Sequence, residues 1–320
     1  MMIQKINDIL SEVYWIWALI GCILIYIVLS IISSTFGFAS LMSNATTAAF
    51  LALAALGQMF VISSGPEAID LSIPAVVTFS AYVTTGVIGG ATDERLILGI
   101  ILVLGVGAFI GFMNSVNVVY LKIPAIIATL AMGNIITTAS LIYNEGFAVY
   151  EICPILRAIV KNKFLKVPLM IYFLIFILLI AIYILKRTTY GRFLLAVGQN
   201  IKAAFLTGIR TNATRIIAFI ISGILASIVG MLLSARVGGA FLQMGDPYLL
   251  ETVGSVVLGG TAIMGGRSTA LGTVLGALLL TLVVSTMQVT GLHIGLQQII
   301  KGFIIIAVLS MAAGQKRVQE

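Results

Sequence analysis

Long apolar runs make up most of this chain, and charged residues are gathered in the short stretches between them. Runs without any charge extend from Val13 to Pro66, from Leu96 to Leu121 and from Ser268 to Ile300. A helix needs about 20 apolar residues to cross a bilayer, so the first and last of these runs hold more than one crossing or a crossing plus a turn. The pattern predicts an all-α, polytopic membrane protein. We expect about ten membrane segments, at 15–33, 46–64, 71–90, 96–120, 124–143, 168–185, 214–235, 251–266, 270–289 and 297–314.

The eighth predicted segment, 251–266, differs from the others because it is short and rich in glycine. Such a segment is expected to be broken or re-entrant, which the bilayer tolerates only where protein or a cavity covers the backbone. Ten crossings place both termini on one side. If that side is the cytoplasm, 11 of the 18 Lys and Arg residues lie inside, as the positive-inside rule favours. Eight or nine crossings remain an alternative.

Composition excludes several classes of function. The chain is 60% hydrophobic and 9% charged, with mean hydropathy +1.17, so it has too few polar residues to cover a water-soluble globule. Its net charge of +7 belongs to the loops of a membrane protein and does not indicate nucleic-acid binding. One His and two Cys supply neither a metal site nor a catalytic constellation. We therefore expect no enzyme activity, no metal and no cofactor.

We treat residues 1–320 as a single transmembrane domain with two notable loops, a cytoplasmic loop 186–215 and an outer loop 144–167. The cytoplasmic loop carries six basic and no acidic residues. Within it, good helix formers and terminal glycines predict a short helix between Ala196 and Ile209 along the membrane face. Taken alone, this is either a docking surface for a partner or an interfacial helix. At the other end of the chain, Ile3, Ile6, Leu10 and Val13 fit either an amphipathic helix or the start of the first span.

Three further stretches carry recognisable motifs. In ISSGPEAIDLS, Ile62 to Ser72, a Gly-Pro pair breaks a helix just before two carboxylates. In NSVNVVYLKIPAIIATLAMG, Asn114 to Gly133, Lys and Pro mark a tight inner turn. The third, VVLGGTAIMGGRSTALGTVLGALLL, Val256 to Leu280, is dense in small residues that let helices approach closely.

Together with GRFLLAVGQNIKAAFLTGI, Gly191 to Ile209, these stretches look like the permease subunits of bacterial ABC importers of the ribose and simple-sugar type, over roughly residues 45 to 312. The resemblance implies a type II importer-like fold in the bacterial inner (cytoplasmic) membrane. It also implies two ATP-binding subunits or one fused ATPase, a second permease copy or a sister permease, and an extracytoplasmic solute-binding protein. The permease itself would hydrolyse nothing.

The resemblance also places the family's coupling helix, which meets the ATPase, at Gly198 to Ile209. Small residues let such a helix seat in a groove, Asn200 is suited to cap its start, and Gly208 is suited to end it. The coupling residues implied are Gly198, Gln199, Asn200, Ala203, Ala204, Gly208 and Ile209.

Polar and aromatic residues inside the spans are the candidates for the translocation path. A neutral polyol needs hydrogen-bonding groups and few charges, because it must be released as readily as it is accepted. The family's arrangement makes Asn44, Phe50, Gln58, Asp70 and Asn134 the expected lining residues. Asp70 has a second interpretation as a cap of the following helix, which we favour.

Two departures from the family pattern stand out. SGPEAIDLSIP is longer than the usual G-G-I-D-L-S-V-G and places Pro74 where a glycine is usual, and Leu249 replaces one of two expected carboxylates. Both departures suit one half of a heterodimer. The remaining carboxylate, Glu251, is expected to pair with Lys301 at the outer side.

The leading functional prediction is the permease subunit of an ATP-driven importer of a pentose, hexose or related small polar solute. Two alternatives stay open. One is a branched-chain amino-acid or nucleoside permease of the same superfamily. The other is an ion-coupled secondary transporter, which needs its own ion site; Asp70 is the only candidate residue for one.

Overall fold

The computed structural model describes residues 15–34, 37–89, 95–143 and 152–314. The N-terminal residues predicted to form an amphipathic helix and the first part of the outer loop, 144–151, lie outside the described residues. Within them the chain is almost entirely helical. The helices are α1 Trp15–Ser33, α2 Phe38–Ser63, α3 Ile73–Ile88, α4 Leu96–Ser115, α5 Ala125–Tyr143, α6 Pro154–Lys161, α7 Leu169–Arg187, α8 Thr189–Gln199, α9 Ile201–Leu206, α10 Thr211–Val237, α11 Tyr248–Leu258, α12 Ala270–Val289 and α13 Ile294–Gly314.

Seven of these helices are long and apolar enough to cross a membrane: α1, α2, α4 with its continuation, α5, α7, α10 and α12. The continuation of α4 is a π-helical stretch, Val116–Tyr120. Three shorter apolar helices, Ile73–Ile88, Tyr248–Leu258 and Ile294–Ala307, fall in the remaining predicted segments. The all-α prediction missed one element of the described chain, a two-stranded antiparallel ribbon of β1 Lys163–Phe164 and β2 Val167–Pro168 in the outer loop.

Helix α2 forms the centre of the bundle. Every residue from Ala48 to Ser63 is buried, because α7, α10, α11 and α12 all pack against this helix. By contrast, α1 lies at the periphery and packs through Cys22 and Leu29 against α12. Large apolar side chains such as Ile31 and Ile101 point outward from the bundle, as expected where a protein meets lipid.

Glycines set the close approach of α4 to α10. A Cβ atom placed on Gly107 would overlap the carbonyl oxygen of Gly223, and one placed on Gly223 would overlap that of Gly107. Gly111, one turn further along α4, lies equally close to the carbonyl of Phe219. Small residues four apart allow two membrane helices to pack backbone to backbone.

Two non-helical segments made mostly of turns interrupt the bundle, 64–72 after α2 and 238–247 after α10. The first begins at Gly65, whose φ of 151° suits only glycine, followed by Pro66. The second begins at Gly238, the left-handed C-cap of α10. Each leads into a short helix, α3 or α11. The predicted break in 251–266 is therefore real, but α11 occupies its first half, and the glycine-rich turn 259–269 connects α11 to α12.

Candidate functional site

The loop 186–215, predicted to be cytoplasmic, folds into two helices rather than the single predicted one. Asn200 adopts an extended conformation, with φ −157° and ψ 106°, which breaks the helix between α8 and α9. Its side chain accepts a hydrogen bond from the N–H of Ala203 at 3.0 Å, so the predicted cap at Asn200 is confirmed. Gly208 follows the end of α9 with φ 84°, which confirms that it ends the helix.

One face of α9 is exposed and unusually apolar. Phe205 is 68% exposed and Leu206 is 84% exposed, although both belong to a basic loop at the membrane surface. Ala203 is exposed beside them, whereas Ala204 is buried against the bundle. The two alanines therefore have different environments. The coupling residues predicted from the sequence did not include Phe205 and Leu206. Two large apolar residues in an otherwise basic loop could have indicated an exposed apolar face.

The base of this loop is fixed to the bundle through backbone atoms. Gly198 lies so close to the carbonyl of Ser63 and the N–H of Gly266 that no Cβ atom fits there. The N–H of Gly266 donates to the Ser63 carbonyl at 3.3 Å, and the side-chain amide of Gln199 donates to the Gly266 carbonyl at 3.4 Å. The C-terminal end of α2, the base of the loop 186–215 and the 259–269 turn thus meet at one point.

The loop is also attached to the start of α10. The hydroxyl of Tyr190 donates to the carbonyl of Thr214 at 3.3 Å. Burial raises the pKa of Tyr190 well above its ordinary range, so the phenol stays protonated and remains a donor. The hairpin of α8 and α9 is thus held by the ends of α2 and α10, while the outer face of α9 is free.

Asp70 lies at the centre of a buried polar network. One carboxylate oxygen, Oδ1, accepts from the N–H and the hydroxyl of Ser72, at 3.0 and 2.6 Å. The other, Oδ2, accepts from the hydroxyl of Ser222 on α10 at 2.8 Å. Asn114 on α4 donates to the Ser72 hydroxyl at 2.7 Å and lies 3.5 Å from Oδ1. Three donors within 3.0 Å, and the Asn114 amide as a fourth at 3.5 Å, therefore surround a carboxylate that is only 2% exposed.

The backbone around Asp70 is held by two more helices. The N–H of Asp70 donates to Gln58 Oε1 on α2 at 3.3 Å, and that of Leu71 donates to Thr129 on α5 at 2.9 Å. The N-cap position of α3 is Ser72, and Asp70 satisfies the N–H of that residue. The predicted capping role is confirmed only in part: Asp70 binds one free N–H at the start of α3, but the N-cap position belongs to Ser72, whose side chain makes no capping bond.

The predicted path residues do not form one cluster. Phe50, Gln58 and Asp70 are buried and offer no surface to a solute in this structure. The guanidinium of Arg236 covers the Phe50 ring, 5.1 Å from its centre. Asn44 lines an open polar cavity of about 290 Å³ at the outer ends of α1, α2 and α12, and Asn134 is exposed on α5.

The segment 238–247 packs against α3 inside the bundle. The N–H of Gly245 donates to the hydroxyl of Thr78 at 3.0 Å, and the α carbon of Gly245 packs on the carbonyl of Pro74, where no Cβ atom fits. Pro74, which departs from the family pattern, thus lies in the first turn of α3 at this contact.

The predicted pairing of Glu251 with Lys301 is confirmed, but the pair lies within the bundle rather than at the outer side, because α11 begins beyond the inward-reaching Gly245 and Lys301 lies seven residues inside α13. Lys301 Nζ on α13 lies 2.7 Å from Glu251 Oε1 on α11, and both side chains are mostly buried. Among the residues that the structure describes, no group of His, Cys, Asp and Glu could hold a metal ion.

Sequence comparison identifies a family and several relatives of the chain. The family described as branched-chain amino acid transport system / permease component matches residues 40–309. The chain is 29% identical to the ribose import permease protein RbsC of Haemophilus influenzae, over 81% of this chain and 80% of that protein. It is 30% identical to RbsC of Escherichia coli K12, over 80% and 79%. It is 29% identical to the autoinducer 2 import system permease protein LsrC of Photorhabdus luminescens, over 92% and 88%. No solved structure matches the chain.

Proposed function

Because the chain belongs to the family of branched-chain amino acid transport system permease components, we propose that it conducts a small polar solute inward as the membrane subunit of an ATP-driven importer. It is a multi-pass protein of the bacterial cytoplasmic membrane. As a permease component it conducts solute and catalyses no reaction, so the energy must come from partner subunits.

The transmembrane domain comprises ten membrane segments in this proposal. Seven are the long helices, and α3, α11 and α13 complete the set. The first two of these are shorter than a bilayer crossing of about 20 residues. The non-helical segments 64–72 and 238–247 supply the missing length. Such non-helical backbone is tolerated at membrane depth only where protein or a water-filled cavity covers it.

The observation that carries the proposal is the exposed apolar face of α9 on a rigid base. A helix that merely rests on the membrane surface directs its apolar side chains toward lipid and has no need of a backbone contact with the ends of distant helices. Here Phe205 and Leu206 suit a hydrophobic groove of an ATPase. The seven coupling residues, Gly198 to Asn200, Ala203, Ala204, Gly208 and Ile209, form the helix and its base.

The same contacts provide a mechanical connection between ATPase and path. A displacement of α9 acts on Gly198, which abuts Ser63 at the end of α2 and Gly266 in the 259–269 turn. Packed backbones have little room to deform, so the displacement is passed on to α2 and α11 rather than absorbed. Helix α2 adjoins the non-helical segment 64–72, and α11 adjoins the non-helical segment 238–247, both inside the bundle.

Its partners are two ATP-binding subunits or one fused ATPase, a second permease copy or sister permease, and an extracytoplasmic binding protein that delivers the solute. The solute is neutral and polyhydroxylated, as the names of the ribose and autoinducer 2 relatives suggest. Of the predicted path residues, Asn44 faces the outer opening and Asn134 faces the path, while the buried Phe50, Gln58 and Asp70 hold the frame around it. The family description names branched-chain amino acids, so labelled leucine belongs beside labelled ribose in every uptake assay.

Affinity purification from mild detergent tests the proposal directly. The wild type is compared with Ala203→Arg, which places bulk and charge on the docking face. Ala213→Arg makes the same change at an exposed position on the first turn of α10 and serves as the matched control. We expect an ATPase subunit to copurify with the wild type and with Ala213→Arg, and to be lost from Ala203→Arg.

Transport by the Ala203→Arg variant at the wild-type rate would remove the coupling assignment. Recovery of the chain alone from every variant, with uptake driven by an ion gradient, would favour a secondary transporter.

A further inference from the structure

Asn134 is an exposed amide at the centre of an apolar span. It lies nine residues from either end of α5, Ala125–Tyr143, or about 13 Å at 1.5 Å per residue. Its side chain has no hydrogen-bond partner among the described residues, and Thr138 bonds only its backbone carbonyl. An unsatisfied amide at this depth is costly against lipid. This face of α5 must therefore meet water, a solute or protein.

A second exposed polar group reaches the same depth from the other half of the chain. The segment 238–247 enters the bundle from the outer end of α10, and Gly245 is bonded to Thr78. Thr78 lies ten residues before the outer end of α3, about 15 Å inward along the helix. Next to Gly245, the side chains of Asp246 and Gln243 are exposed and have no hydrogen-bond partner among the described residues. A charged group at this depth is normally found facing a water-filled cavity or a functional site.

Both groups flank the first turn of α3. Gly133 lies at contact distance from Leu71 and Ser72, so that a Cβ atom there would be 3.6 Å from the Leu71 carbonyl oxygen. Gly245 packs on the carbonyl of Pro74, two residues further along the chain. The residues that follow each glycine, Asn134 and Asp246, are the exposed ones. We propose that Asn134, Gln243 and Asp246 form the solute-contact site of the translocation path. The proposal deepens the proposed function and rests on it for the direction and driving force of transport.

The chemistry of the three side chains fits a neutral polyhydroxylated solute. A carboxylate accepts hydrogen bonds from two neighbouring hydroxyls of a diol, and each amide both donates and accepts. All three side chains are exposed on the described chain and have no hydrogen-bond partner there. In a water-filled path a solute would exchange hydrogen bonds with water rather than gain many new ones. That exchange gives weak binding, which suits a path from which the solute must leave.

Thiol labelling tests the site without depending on what drives transport. Cys22 and Cys153 are first replaced, as Cys22→Ala and Cys153→Ala. Asn134→Cys and Asp246→Cys are then introduced separately, and sealed vesicles are treated with a charged, membrane-impermeant maleimide. Ile101→Cys, an apolar position 61% exposed on α4, is the lipid-facing control. We expect both site thiols to react about tenfold faster than the control, because only they face water, and excess D-ribose to slow the reaction.

Labelling of either site thiol at the rate of the Ile101→Cys control would overturn the proposal. So would complete oxidative cross-linking of Asn134→Cys between two copies without labelling, which would make this face a permease contact. Uptake provides the second readout. Asp246→Asn is expected to lower ribose uptake about tenfold, the equivalent of one charge-assisted hydrogen bond, with the ATPase still copurifying. If the wild type does not take up ribose while the site thiols are labelled, the assignment of a polyhydroxylated solute is wrong, and the location of the site is supported.

Discussion

Replacing Asp70 separates the structural role of its carboxylate from a role in solute selection. The carboxylate accepts from Ser72 and Ser222 and lies against Asn114, so it joins the start of α3 to α4 and α10. Asp70→Asn keeps the shape and one acceptor oxygen. Asp70→Leu keeps the branched shape at a larger volume and removes every acceptor. Glu67→Gln and Glu67→Leu change an exposed carboxylate three residues earlier and serve as controls.

The two variants differ in how many donors they leave without an acceptor. In Asp70→Asn the remaining oxygen still accepts from Ser72, and the Ser222 hydroxyl turns to accept from the new amide. The loss is one charge-assisted bond exchanged for a neutral one, about 1 kcal/mol. In Asp70→Leu the two hydroxyls have the option of donating to nearby helix carbonyls, but the N–H of Ser72 has none. One orphaned buried donor and imperfect packing together cost about 2–4 kcal/mol.

Unfolding of the purified protein by SDS in mixed micelles measures this loss, and uptake of ribose and leucine measures selectivity. We expect the SDS fraction at the midpoint to fall from wild type to Asp70→Asn and further to Asp70→Leu, with no change for the Glu67 variants. The ratio of ribose to leucine uptake per folded protein should stay constant. Wild-type stability of Asp70→Leu, or altered selectivity of Asp70→Asn at wild-type stability, would refute the frame assignment.

Two further predictions concern contacts at the base of the loop 186–215 and within the bundle. Gly198→Ala forces a methyl group against Ser63 and Gly266, so we expect ATPase copurification to persist while uptake falls strongly. Gly105→Ala, a helical position with open space around it, should leave both unchanged, and equal effects of the two variants would contradict the rigid-link argument. For the pair of Glu251 and Lys301, Lys301→Met alone should destabilise the protein by about 1–3 kcal/mol by stranding a carboxylate. Restoration by the double variant Glu251→Gln with Lys301→Met, measured by SDS unfolding, checks the coupling, and additive losses would exclude it.

Hydropathy alone located the apolar helices because the requirement for a long apolar run is local in sequence. The ends of the helices were harder to place. Residues 46–64 were predicted for a helix that begins at Phe38, and 71–90 for one that begins at Ile73. The first error arose because polar residues near Ser43 lowered the local hydropathy. The second arose because Asp70 was expected to cap the helix directly. It instead binds the N–H of Ser72, which is the residue just before the helix.

The cytoplasmic loop shows what a sequence pattern leaves open. Asn200 was identified as a cap, yet its position inside the predicted helix was not used to break that helix in two. A cap residue has an extended backbone, so Asn200 had to end α8 as it began α9. The close contact of Gly198 with Ser63 and Gly266 joins residues far apart in the chain. No local pattern encodes that contact, although all three stretches had been singled out as motifs.

The Asp70 carboxylate differs from the side chains of Asn134 and Asp246 in how many hydrogen bonds it makes. This difference separates the two groups better than residue type does. Asp70 attracts attention in the sequence, but three donors surround its carboxylate, and a group so well satisfied has no remaining capacity for a solute. Asn134 and Asp246 have weaker sequence signals, and their side chains are exposed without partners among the described residues. In a membrane such groups are stable only if water or a ligand satisfies them. Beside Asp70, Gln58 Nε2 and Asn114 Oδ1 also have no hydrogen-bond partner among the described residues, but they are buried and out of reach of a solute. Exposure and unsatisfied hydrogen bonds together therefore support our proposal that Asn134 and Asp246 line the path, whereas the buried Asp70 belongs to the frame.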